Sequence, residues 1–203
     1  MNDTYLFIDS SLCIQVGLLD ADLNWLHYEY VPNQKGSTVL HSIIYSVLEE
    51  AGLKILDLKG LIIANGPGSY TGIRLTEGIS QISEAEGISV CSFYHFEVPF
   101  FCGISNYKFY ANAFKGEIFE YSFKGKDEVN ISMLKKDTFL SRSFDEDNFF
   151  HINGELEGKY LSSTTELIKE NSLKLFTKVI NRKRHSDPYY FRSLEKEFKP
   201  SFN

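Results

Sequence analysis

The sequence predicts a mixed α/β fold, and three observations carry that prediction. Leu12, Ile14, Val16 and Leu18 alternate with Cys13, Gln15, Gly17 and Leu19, the period of a half-buried strand. Leu40, Ile43, Ile44, Val47, Leu48 and Ala51 instead recur at the spacing of one helix face, and that pattern stops at Gly52. Leu61-Ile62-Ile63-Ala64 is apolar without alternation, as expected of a strand covered on both sides.

Taken in order, Tyr5-Leu6-Phe7-Ile8 is a short apolar strand ending at Asp9, followed by the alternating strand 12–19. Asp20-Ala21-Asp22 turns the chain and Trp25 to Val31 returns as a third strand, completing an antiparallel meander. The helix over 40–51 carries His41, Ser42, Tyr45, Glu49 and Glu50 away from its apolar stripe. After strand 61–64 comes a glycine-rich loop, then a helix marked by Leu75, Ile79 and Ile82, then strand 90–93. A meander extended by parallel strands through crossover helices gives a mixed sheet whose order resembles a ribonuclease-H-like lobe. Past Pro99 the order partly restarts: strands at 109–113, 117–123, 130–134 and 149–152, then a helix over 171–180 capped by Asn171 or Ser172. No sequence repeat is visible, but the repeated order implies two related lobes, 1–98 and a smaller 99–203. The aromatic-rich tail 188–203 is expected to pack on the body.

The bulk properties narrow the function. The chain has 203 residues, 43% hydrophobic and 24% charged, enough for one large domain or two small lobes. A net charge of −6 disfavours direct nucleic-acid binding, which needs clustered cations. The exception, Asn181-Arg182-Lys183-Arg184-His185, reads as charge near a helix end or as plain solvation. Cys13, Cys91 and Cys102 form no CxxC pair, which suits a reducing cytosol and implies no zinc site. Asp9 interrupts the N-terminal apolar run and no stretch reaches membrane-spanning length. A cytoplasmic protein without a membrane partner is expected.

The most specialised segment is Asn65-Gly66-Pro67-Gly68-Ser69-Tyr70-Thr71-Gly72-Ile73-Arg74-Leu75. A glycine-rich turn opening a helix can present backbone N–H groups to a phosphate or let another chain approach closely. Ser69 or Thr71 can cap the helix beginning near Tyr70. Gly68 and Gly72 lack Cβ atoms and so offer room for a partner's helix, beside the simpler reading of a tight strand-to-helix turn.

These residues resemble the GPGSFTGxR signature of the bacterial tRNA threonylcarbamoyladenosine biosynthesis protein TsaB (YeaZ) family. Further matches follow in order along nearly the whole chain: Ile8-Asp9-Ser10-Ser11, His41-Ser42, Lys115-Gly116-Glu117-Ile118-Phe119, Asn153-Gly154 and Pro188-Tyr189-Tyr190-Phe191-Arg192. The resemblance implies an actin-like ATPase (ASKHA) fold of two ribonuclease-H-like lobes with mixed sheets. It also implies a noncatalytic subunit that pairs with the catalytic paralogue TsaD and supports the ATPase TsaE. TsaD transfers threonylcarbamoyl onto the adenosine beside the anticodon of ANN-reading tRNAs. On that reading the chain has no cofactor of its own, ATP or ADP enters only at the complex with partners, and tRNA is met indirectly.

The chain's own chemistry is thin. The catalytic paralogue carries an HxxxH metal pair, whereas the matching stretch here runs His95-Phe96-Glu97-Val98-Pro99 and loses the second histidine. Asn112-Ala113-Phe114 stands where the family hairpin begins D-A-R. Asp9 and Ser10 are candidates for a vestigial phosphate side, set against Asp9 simply accepting N–H bonds in its own turn. The cysteines have no cationic neighbours in sequence to stabilise a thiolate, and no G-x-S-x-G elbow occurs. No catalytic or metal residue is assigned.

Partner binding is expected through the first two helices, with His41, Tyr45, Tyr70, Arg74 and Leu75 on the exposed face. The same face would support a symmetric homodimer of the chain alone. Thr76 and Ile82 replace typical glycines of the family and are expected to alter how closely a partner helix approaches. Two alternatives are an independent actin-like ATPase or phosphotransferase and, with less motif support, a metallopeptidase-like protein.

Overall fold

The computed structural model describes residues 3–32, 36–125, 128–144 and 148–191. The first five-stranded sheet contains β1 (Tyr5–Asp9), β2 (Ile14–Leu19), β3 (Trp25–Val31), β4 (Gly60–Ala64) and β5 (Ser89–Phe93), in the order β3-β2-β1-β4-β5. β1 pairs antiparallel with β2 and parallel with β4, so the meander and the crossover strands meet at β1. Helices α1 (Gly36–Glu50) and α2 (Tyr70–Ala85) cover one face of this sheet. Leu40, Ile44, Val47 and Leu48 of α1 pack there on Leu6, Ile8, Val16 and Ile63. Because β1 and β4 are covered on both faces, their side chains are apolar on both, which is why Leu61 to Ala64 shows no alternation.

The second sheet repeats the first. Its strands are β6 (Tyr107–Asn112), β7 (Glu117–Phe123), β8 (Val129–Lys135), β9 (Phe149–His151) and, after a small hairpin of β10 (Glu155–Leu156) and β11 (Lys159–Tyr160), β12 (Ser162–Ser163). The spatial order β8-β7-β6-β9-β12 has the same pairing senses as β3-β2-β1-β4-β5: antiparallel, antiparallel, parallel, parallel. Two lobes of mixed ribonuclease-H-like topology are therefore present, the actin-like arrangement expected. The three-residue β9 and two-residue β12 are shorter than β4 and β5, their five-residue counterparts in the first sheet. Ser162–Ser163 was not predicted as a strand, because two polar residues carry no strand period.

The boundary expected at 98/99 falls between the two sheets and inside a short helix, and later helices return to the first sheet. α3 (Val98–Phe101) joins the lobes, α4 (Lys136–Leu140) covers the second sheet, and α5 (Thr164–Glu170) and α6 (Ser172–Arg182) close the described helices. Ile168, Leu175, Phe176 and Val179 pack against Phe7, Ile62, Cys91 and Phe93, so the end of the chain returns to the free face of the first sheet. The predicted helix 171–180 is thus α6, with Asn171 at its N-cap position but without a side-chain cap bond. The preceding α5 is capped by Ser163, whose hydroxyl accepts from Glu166 N at 3.2 Å. The cationic stripe of α6 is spent on α3: Lys174 and Lys178 donate to the Cys102 and Phe101 carbonyls, and Arg182 pairs with Glu97 at 2.9 Å.

The tail packs as expected as far as it is described. Tyr189 and Phe191 enter the aromatic cluster of Phe96, Phe109, Phe119 and Tyr121 in the second lobe, and residues 192–203, including Arg192, lie outside the described residues. Among the described residues no helix is long and apolar enough to cross a membrane.

On its other face the second sheet buries a charge. Glu120 is 6% exposed, ion-pairs with Arg142 and lies 3.6 Å from Lys108. Burial pushes its carboxyl up, but hydrogen bonds from Tyr110 and Arg142 and the charges of Arg142 and Lys108 outweigh that and hold it below the ordinary value. A depressed carboxyl contributes stability that is present above its unfolded pKa and lost as pH falls through the folded one. Glu120→Gln is expected to destabilise the chain by about 2 kcal/mol at neutral pH in urea unfolding, because it leaves Arg142 without its buried partner. The variant should also lose less stability than the parent below pH 4.5, the carboxyl's ordinary value.

Candidate functional site

The glycine-rich segment forms the elbow between β4 and α2. Ser69 is the N-cap of α2, accepting from Gly72 N, while Thr71 is exposed within the first turn. Gly66 sits at φ +96°, a conformation that suits glycine. The cis Gly66–Pro67 bond and the buried Pro67 complete the turn.

The space beside the glycines belongs to the chain itself. A Cβ on Gly68 would stand 2.3 Å from Ser11 O, and one on Gly72 would stand 1.9 Å from Ser10 O. Both contacts come from the loop that leaves β1. That correction removes the room offered to a partner helix at Gly68 and Gly72. The same loop takes the elbow's donors: Ser69 N donates to Ser11 O at 2.5 Å. The Ser10 hydroxyl donates to Gly72 O at 2.7 Å and lies 2.6 Å from the Thr76 hydroxyl. Thr76 is therefore buried toward Ser10 and does not face a partner, whereas Ile82 stands 67% exposed.

Asp9 and Ser10, the candidates for a phosphate side, are both buried and both have partners within the chain. Asp9 Oδ1 accepts from Ser11 N at 2.8 Å, the turn bond read from the sequence. Its Oδ2 accepts from Gln15 Nε2 at 2.5 Å and lies 3.0 Å from His95 Nε2. His95 is fully buried, with Nδ1 2.9 Å from Thr164 Oγ1 at the start of α5. The imidazole thus bridges the Asp9 carboxyl and the Thr164 hydroxyl, which itself donates to Ile152 O at 3.5 Å. The His95 backbone N–H also donates to Gly66 O at 2.9 Å, tying this polar chain to the elbow. Gln15 continues the network, donating to Thr165 Oγ1 at 3.3 Å and accepting from Tyr28 at 2.7 Å.

Sequence reasoning missed Thr164, Thr165, Gln15 and His151. Thr164 lies 69 residues from His95 and Thr165 lies 150 from Gln15, while Gln15 and His151 sit in strands whose pattern says nothing of their partners. The one available signal was Gln15, a polar residue on a strand whose other positions are mostly aliphatic. Burial pushes the Cys13 thiol up to about 12 and the Cys102 thiol up to about 11, and raises Cys91, so all three stay protonated.

The outward side of the elbow is different. His41, Tyr45 and Arg74 are exposed on α1 and α2, and Tyr70 is half-buried. Arg74 donates to the Tyr70 hydroxyl at 2.7 Å and lies 5.4 Å from its ring centre. Tyr190 of the tail packs on the same ring at 5.0 Å. Leu75 is not part of this face, because it turns inward onto the core beneath α1. A strap over 184–190 crosses behind the elbow. Asn65 Nδ2 donates to Ser186 O at 2.7 Å and Tyr189 N to Asn65 O at 2.9 Å. His185 meets Glu84 at 2.9 Å and Glu77 at 3.2 Å. The basic run at 181–185 is thus tied into the fold by the Arg182 and His185 side chains and by the Arg184 carbonyl, which accepts from Ser92 N at 2.9 Å.

No family model matches the chain. A stretch of 55 residues is 33% identical to the tRNA threonylcarbamoyladenosine biosynthesis protein TsaB of Escherichia coli K12, covering 27% of this chain and 23% of that protein. The matched part is therefore under a quarter of TsaB's length. Two solved structures agree over nearly the whole chain. One, from Pseudomonas aeruginosa, is an uncharacterised protein with similarity to the peptidase YeaZ, at TM-score 0.62, 20% identity, 94% of this chain and all of that one. The other is YeaZ from Pseudomonas aeruginosa, at TM-score 0.62, 19% identity, 93% of this chain and all of that one. At these identities the two establish the shared fold.

Two glycines of α2 separate inner from outer requirements. Gly72→Ala is expected to cost about 3 kcal/mol or more in urea unfolding, because the β1 loop backbone cannot move aside. Gly78→Ala meets nothing within 4 Å and should instead gain about 1 kcal/mol from helix propensity. A second expectation concerns His151, which burial and the neighbouring His95 push down to about 4 from an ordinary 6.5. Its contribution is present above pH 6.5 and drains away as pH falls toward 4, since the unfolded chain binds the proton first. Unfolding at stepped pH should show up to about 3 kcal/mol lost across that window, and His151→Gln should flatten it.

Proposed function

We propose, from the TsaB/YeaZ family assignment that the local TsaB match and the whole-chain YeaZ fold together support, that the chain acts in tRNA threonylcarbamoyladenosine biosynthesis. Its role is that of a noncatalytic subunit docking a TsaD-like catalytic partner, with a TsaE-like ATPase joining that pair. ATP or ADP belongs to the assembled complex, tRNA is contacted through the partners, and the setting is the cytoplasm.

The observation that carries this reading is the two-sidedness of α2. Its inner side is fixed by the β1 loop, while Tyr45, Arg74 and Ile82 stand exposed on the α1–α2 face. A face mixing aromatic, arginine and aliphatic groups over an unyielding backbone is suited to a protein partner. The same face serves self-association in a two-fold dimer when the partner is missing. Further support comes from the polar groups that an independent ATPase would need. The Asp9 carboxylate already meets Ser11, Gln15 and His95, and Ser69 N–H is taken by Ser11 O.

Co-expression with the TsaD-like subunit of the same organism tests the proposal. The parent chain should co-purify with it, and Arg74→Glu or Tyr45→Ala should weaken the complex at least about tenfold, as central interface truncations do. Omitting the chain from a reconstituted tRNA modification assay should abolish or sharply slow product formation. Failure to form any complex, or full modification without the chain, would overturn this reading.

A further inference from the structure

The Asp9–His95–Thr164 chain runs between the lobes. Asp9 ends β1 and His95 follows β5, both in the first lobe, whereas Thr164 opens α5 from the end of the second sheet. Thr164 is anchored on its own side, since the Ser163 hydroxyl and Thr165 N both donate to Ile152 O at 3.0 Å. Gln15 reaches Thr165 from β2 as a second crossing. Every side chain in these crossings is at least nine-tenths buried. Separating the lobes would leave a carboxylate, an imidazole and an amide without partners before water could replace them, a cost much larger than for surface bonds.

We propose that these two hydrogen-bonded crossings are an interlobe latch, holding the cleft between the sheets shut and making the two lobes one rigid body. The latch closes over Cys13, which is 3% exposed and sits beside Asp9, Gln15 and Thr165. Local opening of the seam would expose this thiol first. Cys91 and Cys102 lie elsewhere, in the apolar core between the first sheet and α6. The chain thus carries one reporter beside the latch and two comparison thiols away from it.

The proposal does not depend on the identity of any partner. Its test is native-state alkylation of the full chain by iodoacetamide, with each cysteine quantified by mass spectrometry. Thr164→Val/Thr165→Val removes both second-lobe hydroxyls at nearly constant volume. It should raise Cys13 labelling about tenfold or more, with Cys91 and Cys102 as slow as in the parent, the signature of a sub-global opening. Thr164→Ser/Thr165→Ser, which keeps the hydroxyls, should restore slow Cys13 labelling. Should the double valine variant fail to fold, Thr164→Val alone is read in the same way. Unchanged Cys13 labelling in a folded variant, or an equal rise at all three cysteines, would overturn the latch.

Discussion

The contact on which the structure depends is the meeting of the β1 loop backbone with the glycines of the elbow. Ser10 O and Ser11 O occupy the volume that side chains at positions 72 and 68 would need. This contact fixes the start of α2 relative to β1, the strand at which the meander and the parallel strands join. α2 then covers β4 together with α1, and the outward face of that helix pair inherits its geometry from a backbone-to-backbone contact. Side-chain packing alone would leave more freedom, because side chains change rotamer and backbone atoms do not.

Asp9 extends the same constraint inward. Its carboxylate organises the loop through Ser11 and simultaneously receives His95, whose backbone holds the elbow at Gly66. One residue at a strand end therefore serves turn, elbow and lobe seam. The tail adds a second tie from outside, with Tyr189 bonded to Asn65 of the first lobe and packed on Phe119 of the second.

Much of this fold was legible because its signals are local. The alternation of β2, the helical stripe of α1 and the uninterrupted apolar β4 each follow from which faces are covered, and the order of elements yields the topology. The second lobe was read through β6, β7 and β8, whose hairpins leave glycine-marked turns. It became illegible toward β12, where a two-residue polar strand has neither period nor length. The inward turn of Leu75 and the burial of Thr76 were equally hidden, since a helical stripe fixes a direction only to within the width of one face. The glycines were recognised as sites of close approach, but a sequence cannot say which chain approaches. Here it is residues 10 and 11, sixty positions earlier. His95 lacks the i+4 partner of a metal pair, and its hydrogen-bond partners, Asp9 and Thr164, lie 86 and 69 residues away, beyond any local pattern.

These placements bear on what a glycine-rich elbow does when its space and a backbone donor are taken up within the chain. A phosphate cradle needs free N–H groups, a nearby cation and space, and each is in demand here. Ser69 N–H is bonded to Ser11, the residues beside the turn are Asp9, Ser10 and Ser11, and the volume is filled by their backbone. What the elbow supplies is mechanical, a turn so tight that α2 has one position. A surface of fixed position loses little conformational entropy when a partner docks, so rigidity behind the α1–α2 face would favour the docking proposed above. In that proposal Tyr45 and Arg74 make the contacts, while Gly68, Gly72 and Asp9 act only through the position they give α2.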